Sequence, residues 1–400
     1  MLSRLSACSL VALVAVGTLL AACEDEGPPA PTPPPAPPPR VPIASPRPVA
    51  TAAAFDVVAV SGGAVLFYGP SAREGGGLRA QPLDALGQLR GRSVEVWRED
   101  ISDVNPIAPH ALEVAAASGG GRVGVAWVAR HGREVRVHAS RGTGTSFSPA
   151  EDLGESELPP VIARGNVAMA AAADGNLSLI HRTTRGPCVD GVPGECTRLR
   201  ITRIGADGAS ERSGLPLVIP EVCNRPVPGY VWADGTWYYS LCARSGGAPS
   251  TTLYAIQFEP SYAQADQIFA GCEALGLGRV GEGAAVALGR CADGRVDAVR
   301  YADVGSDKTV LIGLSRRVVC SEGRPRLVLG VDPGGDDPLE VPLSEATADL
   351  SALLPESMAR PRSRAVWTGE ALLVATPLGT EVALHRYQCE HGAFVRTNAF

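Results

Sequence analysis

Residues 112–128 read Leu112-Glu113-Val114-Ala115-Ala116-Ala117, a glycine turn at Gly119-Gly120-Gly121, and Arg122-Val123-Gly124-Val125-Ala126-Trp127-Val128. Two apolar segments joined by a glycine turn predict a β-hairpin. In the returning segment both alternate sets of positions are apolar or small, so that strand is expected to bury both faces. Glu134-Val135-Arg136-Val137-His138-Ala139 follows and alternates strictly, which predicts a third strand with one face in water.

The same unit recurs along the chain. Its turn glycines fall at Gly63, Gly120, Gly175, Gly235, Gly283, Gly323 and Gly369, between 40 and 60 residues apart. The last unit repeats the order in Arg364-Ala365-Val366-Trp367, Ala371-Leu372-Leu373-Val374-Ala375 and Glu381-Val382-Ala383-Leu384-His385. A period of about 50 residues with several short strands per unit is that of a propeller, in which radial stacking buries flat sheet faces and leaves few edges. The expectation is an all-β fold, a single β-propeller over residues 52–400. Seven blades fit the span, and six with an irregular extra strand pair also fit. Composition agrees: 45% hydrophobic, 20% charged and 46 glycines suit short strands and tight turns. Only Leu83 to Arg90 and Ser344 to Ala359 carry a helical pattern.

The N-terminal 51 residues have a different character. Arg4 is followed by an apolar stretch over residues 5–20, too short for a comfortable membrane span, ending in Leu20-Ala21-Ala22-Cys23. That ending resembles the lipobox of bacterial lipoproteins. The resemblance implies a signal peptide over residues 1–22, cleavage before Cys23 and acylation of its thiol, with an ordinary secretory signal as the alternative. Several acyl chains on one cysteine anchor a protein stably, and the segment over residues 23–51 then serves as a tether. Glu24, Asp25 and Glu26 open it, and Pro33-Pro34-Pro35 and Pro37-Pro38-Pro39 stiffen it. At about 3.1 Å per residue the proline-rich part reaches roughly 60 Å. The expected location is the bacterial cell envelope, outside the cytoplasm, with outer membrane or cell surface preferred over the inner membrane.

A second resemblance lies at the end of the quoted unit. Ser140-Arg141-Gly142-Thr143-Gly144-Thr145-Ser146-Phe147-Ser148-Pro149 is similar to the Asp-box turn of sialidase-like, or BNR-repeat, propellers, whose motif runs Ser-x-Asp-x-Gly-x-Thr-Trp. The serine, glycine, hydroxyl and aromatic places are filled, and Gly142 stands where the motif has aspartate. Asp234-Gly235-Thr236-Trp237 has the aspartate but one residue too few before the glycine. Asp-boxes in that family are structural turns, so the resemblance implies fold and not activity.

Eight cysteines follow the tether: Cys188, Cys196, Cys223, Cys242, Cys272, Cys291, Cys320 and Cys389. An even number in an exported chain reads as disulfides. The pairs Cys223 with Cys242 and Cys272 with Cys291 share one spacing at equivalent places in their units, which suggests two homologous bridges. Cys188 with Cys196, and Cys320 with Cys389, complete one pairing scheme among many. No Cys-x-x-Cys occurs and the histidines His110, His131, His138, His181, His385 and His391 are scattered, so no zinc site is expected. His138 and His385 fall on alternating strands and are expected to face solvent. Asp332, Asp336 and Asp337 offer oxygen ligands for calcium but lack EF-hand spacing; an acidic surface turn is the preferred reading.

The net charge of -6, or -7 once the segment holding Arg4 is removed, carries no nucleic-acid footprint. With Lys308 the only lysine, a phosphate-binding P-loop is excluded, and no Gly-x-Ser-x-Gly occurs. A sialidase needs three arginines on the substrate carboxylate, a tyrosine nucleophile with a glutamate partner, and an aspartate acid/base; no local motif assigns these roles. The sequence therefore assigns no catalytic residue and no cofactor. Its preferred function is a membrane-anchored, noncatalytic binding or scaffold propeller for a protein or glycan. A diverged sialidase-like glycoside hydrolase and a structural envelope component are the alternatives.

Overall fold

A computed structural model describes residues 48–51, 54–71, 75–99, 109–156, 166–172, 174–183, 186–187, 195–205, 207, 210–212, 217–219, 237–245, 248–258, 261–280, 284–291, 296–301, 308–311, 317–331, 338–342, 354, 358 and 362–397. All lie in the unit Ile43–Phe400. Regular structure among them is entirely β-strand, and the protein is an all-β propeller.

The strands group into seven antiparallel sheets among the described residues. Strand β1 (Pro48–Thr51) precedes sheet one, which holds β2 (Ala54–Val60), β3 (Gly63–Gly69), β4 (Leu78–Asp84) and β5 (Val94–Trp97). Sheet two is β6 (His110–Gly119), β7 (Arg122–His131), β8 (Glu134–Gly142) and β9 (Glu151–Glu155). Sheet three contains β10 (Val167–Ala171), β11 (Leu177–Arg182), β12 (Gly186–Pro187), β13 (Glu195–Ile204), β14 (Ser210–Arg212) and β15 (Leu217–Ile219). Sheet four is β16 (Trp237–Ser245), β17 (Ala248–Phe258) and β18 (Ser261–Ala270), and sheet five is β19 (Cys272–Val280), β20 (Ala284–Cys291), β21 (Val296–Tyr301) and β22 (Lys308–Leu311). Sheet six is β23 (Arg317–Ser321), β24 (Arg324–Val331) and β25 (Pro338–Pro342). Sheet seven has β26 (Arg364–Trp367), β27 (Leu372–Leu378) and β28 (Glu381–Glu390), whose outer edge pairs with both β29 (Ala393–Thr397) and the N-terminal β1.

Packing joins these sheets in a run from four through seven to one, two and three. First strand meets first strand where β2 touches β6, β6 touches β10, and β26 of the last sheet returns against β2. Sheets four and five meet through β16 and β19, five and six through β22 and β24, and six and seven through β23, β28 and β29. Strand β1 adds a second closure, because Thr51 pairs with Glu381 and Ala50 with Val382. A chain whose first strand completes its last sheet leaves fewer unpaired edges and couples both ends of the domain to one fold.

The core is laminated between sheets, and residue alternation in β7 shows why. Val123, Val125, Trp127 and Ala129 pack with Val65, Phe67, Leu78 and Trp97 of sheet one. Ala126 and Val128 face the other way, into Met169, Leu177 and Leu179 of sheet three. A strand with period-two side chains and neighbours on both faces needs apolar residues at every position, which is the pattern of residues 123–129. Phe55, Val57, Ala64 and Leu66 of sheet one meet Leu373, Ala375, Val382 and Leu384 of sheet seven in the same manner. Full burial of side chains of this size stabilises by about 1.5–3 kcal/mol each.

Two expectations need correction. Leu83 to Arg90 is no helix: Leu83 and Asp84 end β4, and Leu83 bridges Leu89. The Asp84 carboxylate accepts from the Leu86 and Gln88 backbone N–H groups at 2.9 and 2.8 Å, so this local bonding closes a turn before helical bonds form. Of Ser344 to Ala359, only Leu354 and Met358 are described. Strand β8 does not leave one face in water either, since Val137, His138 and Ala139 are all buried. Trp97, at the end of β5, reaches over from sheet one and covers the face that alternation had assigned to solvent.

The glycines mark turns and close approaches. Gly120 and Gly121 have φ of 54° and 73°, the pair of positive values a two-residue hairpin turn demands. Gly119 serves the packing between sheets instead. A Cβ there would sit 2.2 Å from the Ala172 carbonyl oxygen, so only glycine lets sheet two approach sheet three this closely. Gly175, Gly323 and Gly369 also lie in first-to-second-strand turns with positive φ, while Gly235 and Gly283 fall outside the described residues.

Disulfides join Cys272 to Cys291, which face each other across β19 and β20, and Cys320 of β23 to Cys389 of β28. The second ties sheet six to sheet seven. Cys23, Cys188, Cys223, Asp332, Asp336, Asp337 and residues 234–236 lie outside the described residues, as do the side chains of Cys196 and Cys242.

Candidate functional site

An antiparallel sheet built by successive hairpins places its first-to-second and third-to-fourth turns at the same end. Around the propeller this collects turns from sheets far apart in sequence. A cleft of about 560 Å³ opens among them, lined by residues of sheets one, two, six and seven. Ser61 comes from the β2–β3 turn, Ser118 and Arg122 from the β6–β7 hairpin, and Thr143 from the β8–β9 turn. Arg324 opens β24 and Trp367 ends β26.

The walls are fixed by bonds within and between the turns. Ser118 donates its hydroxyl to the Ala59 carbonyl, joining the rims of sheets two and one. Thr368, beside Trp367, donates Oγ1–H to the Ala85 carbonyl at 2.6 Å, and its Oγ1 accepts from the Ala371 N–H at 3.1 Å. Arg122 and Arg324 are exposed and Trp367 is half-buried, so two guanidinium groups and one indole border the cavity. Guanidinium offers planar paired donors to carboxylate or sulfate, the indole offers a flat apolar body, and the hydroxyls and backbone supply neutral hydrogen bonds.

Thr143 belongs to the segment similar to an Asp-box, and its geometry explains the missing aspartate. Ser148 N–H donates to the Arg141 carbonyl at 2.8 Å and Thr143 N–H to the Ser146 carbonyl at 3.1 Å, folding the turn tightly. A Cβ on Gly142 would lie 1.8 Å from the Ser146 oxygen. Phe147 fills the motif's aromatic place and packs edge-on to Phe67 at 5.5 Å, pinning the turn to sheet one.

No protein family and no curated protein matches the sequence. Among solved structures the chain is similar to Trypanosoma rangeli sialidase, at 10% identity and a TM-score of 0.35 over 78% of this chain and 55% of that one. It is also similar to the Aleuria aurantia lectin, at 11% identity and 0.40 over 86% and 96%, and to TolB from Acinetobacter baumannii, at 11% and 0.35 over 83% and 65%. The chain spans about half the length of the sialidase chains it matches, 55% and 50%.

The opposite end of sheet two holds a cluster that sequence reading missed. His131 ends β7 and His138 lies in β8; their Nε2 atoms are 3.1 Å apart. Glu99, just past β5, places Oε2 2.9 Å from His131 Nδ1. The His138 ring stacks against both Trp97 and Trp127, at centroid distances of 5.4 and 5.6 Å, and the two indoles lie 5.7 Å from each other. Burial is the main force lowering its pKa to about 4, with nearby His131 and Arg136 adding to the effect and Asp152 and Glu99 opposing it. The histidines are therefore not all scattered, and His138 does not face solvent. His385 is half-buried, with Arg396 Nη2 2.8 Å from its Nδ1.

A sequence signal for part of this cluster existed. The hairpin pairs His131 with Glu134, and counting back from its short turn sets Trp127 opposite His138. Glu99 and Trp97 arrive from another sheet, and only the packing of sheets one and two brings them in.

Proposed function

We propose that the protein is a lipid-anchored, noncatalytic, seven-bladed propeller of the bacterial envelope that binds an acidic glycan in the cleft lined by sheets one, two, six and seven. The observation that carries this reading is the convergence of Arg122, Arg324 and Trp367 on one cleft. Each of these groups recognises: guanidinium takes an anionic substituent, indole covers a sugar ring, and Ser61, Ser118 and Thr143 are placed for hydroxyl contacts. A cavity of about 560 Å³ is of a size that holds a short oligosaccharide. Oxidised Cys272–Cys291 and Cys320–Cys389 fit a compartment outside the cytosol, and the lipobox-like Leu20-Ala21-Ala22-Cys23 with its proline-rich tether fits presentation at a surface.

Calorimetric titration with oligogalacturonate and with a neutral oligosaccharide of equal length tests the reading. Acidic saccharide should bind more tightly, weaken as salt rises, and lose at least tenfold in affinity in Arg122→Ala/Arg324→Ala and in Trp367→Ala. Equal binding of both saccharides, or affinity untouched by these substitutions, rules the cleft out. Incorporation of labelled fatty acid, lost in Cys23→Ser, tests the anchor separately.

A further inference from the structure

We propose that His131 and His138 bind a zinc ion at the joint between sheets one and two, a site independent of the cleft. Their Nε2 atoms, 3.1 Å apart, have the separation of two ligands on one ion. With Zn–N bonds of about 2.0–2.1 Å, that spacing corresponds to an N–Zn–N angle of roughly 100°, close to tetrahedral.

Glu99 prepares the site. Its Oε2 lies 2.9 Å from His131 Nδ1, so the carboxylate takes the Nδ1 proton in a hydrogen bond and leaves the Nε2 lone pair for the metal. Ligand-bearing atoms of Glu99, His131 and His138 all lie within 4.8 Å of one another. Trp97 and Trp127 both pack against the His138 ring and restrict its orientation. Side-chain exposures of 42% for Glu99 and 15% for His131 give an ion a route from solvent to the buried His138. Imidazole nitrogen is a favoured zinc donor, and with two protein ligands the remaining positions go to water, making an open site. Bound there, the ion clamps the β7–β8 hairpin, and through Glu99 it links that hairpin to the outer edge of sheet one.

The test uses the full-length protein, stripped with chelator and titrated with zinc chloride by calorimetry. Near-ultraviolet circular dichroism follows the two indoles against His138. One equivalent of zinc should bind and change the indole signal. His131→Gln should weaken binding at least a hundredfold and Glu99→Gln about tenfold. Absence of saturable zinc binding, or wild-type binding by a folded His131→Gln variant, overturns the proposal. Should that variant fail to fold, cobalt(II) in the wild-type protein decides: intense four-coordinate ligand-field bands support the site, and the spectrum of the hydrated ion overturns it.

Discussion

Arg364 and Asp56 form a buried ion pair across the joint between the last sheet and the first, with Nε 3.4 Å from Oδ1 and side chains 8% and 7% exposed. The same carboxylate accepts from the Ala116 N–H through Oδ2 at 2.9 Å and from the Val57 N–H through Oδ1 at 3.0 Å. One side chain on β2 therefore reaches both β26 and β6, the first strands of the two flanking sheets. Glu113 repeats half of this arrangement on β6, accepting from Asn166 and Val167 N–H of sheet three at 3.1 and 3.4 Å. Acids on the first strands of sheets one and two thus bind each of those sheets to the backbone of the next.

Removing one partner of a buried ion pair costs about 3–5 kcal/mol. Asp56→Ala should lose stability of that order in urea denaturation, and Asp56→Asn, which keeps an acceptor for Ala116, should lose less. A loss below about 1 kcal/mol in Asp56→Ala would remove the pair from the account of ring closure.

Gly142 makes a prediction opposite to what the Asp-box resemblance suggests. Restoring the motif with Gly142→Asp should lower stability by about 1–3 kcal/mol, since its Cβ would meet the Ser146 oxygen at 1.8 Å. Thermal unfolding checks it; an unchanged or raised midpoint would show that the turn between β8 and β9 adopts the family's geometry.

Acid should weaken the metal-free protein through His138. Its folded pKa of about 4 lies below the ordinary histidine value of 6.5, so the unfolded chain binds the proton more readily. Its contribution is complete above pH 6.5 and is lost as pH falls toward 4, amounting to roughly 3 kcal/mol at most. Glu99, His131, Arg136 and Asp152 are the charged or ionisable groups that face this ring. Denaturation at pH 7.5 and 4.5 in chelator should show the loss, and His138→Phe should flatten it. An equal pH slope in that variant would assign the effect elsewhere.

Strand order and sheet packing were legible wherever a local rule sufficed. Residues 112–128 announced a hairpin whose returning strand is buried on both faces, and the structure places β6 and β7 there. Local rules failed where a neighbour from another sheet decided the outcome. His138 alternates as a surface residue does, yet Trp97 covers it. The cleft was equally illegible, because Arg122, Arg324 and Trp367 share no motif and meet only when the ring closes. At Gly142 the sequence showed a gap in a motif, and the turn's own carbonyl supplied the reason.

Ring closure underlies both the cleft and the buried pair, and a single distance probes it. Ser61 and Glu370 sit near opposite ends of the domain sequence, in the β2–β3 and β26–β27 turns, and both are exposed. Spin labels at these two positions in otherwise disulfide-bonded protein should give a single narrow distance distribution at the short end of the range that pulsed electron resonance measures. A long or broad distribution would contradict the ring and, with it, the cleft that sheets one, two, six and seven enclose.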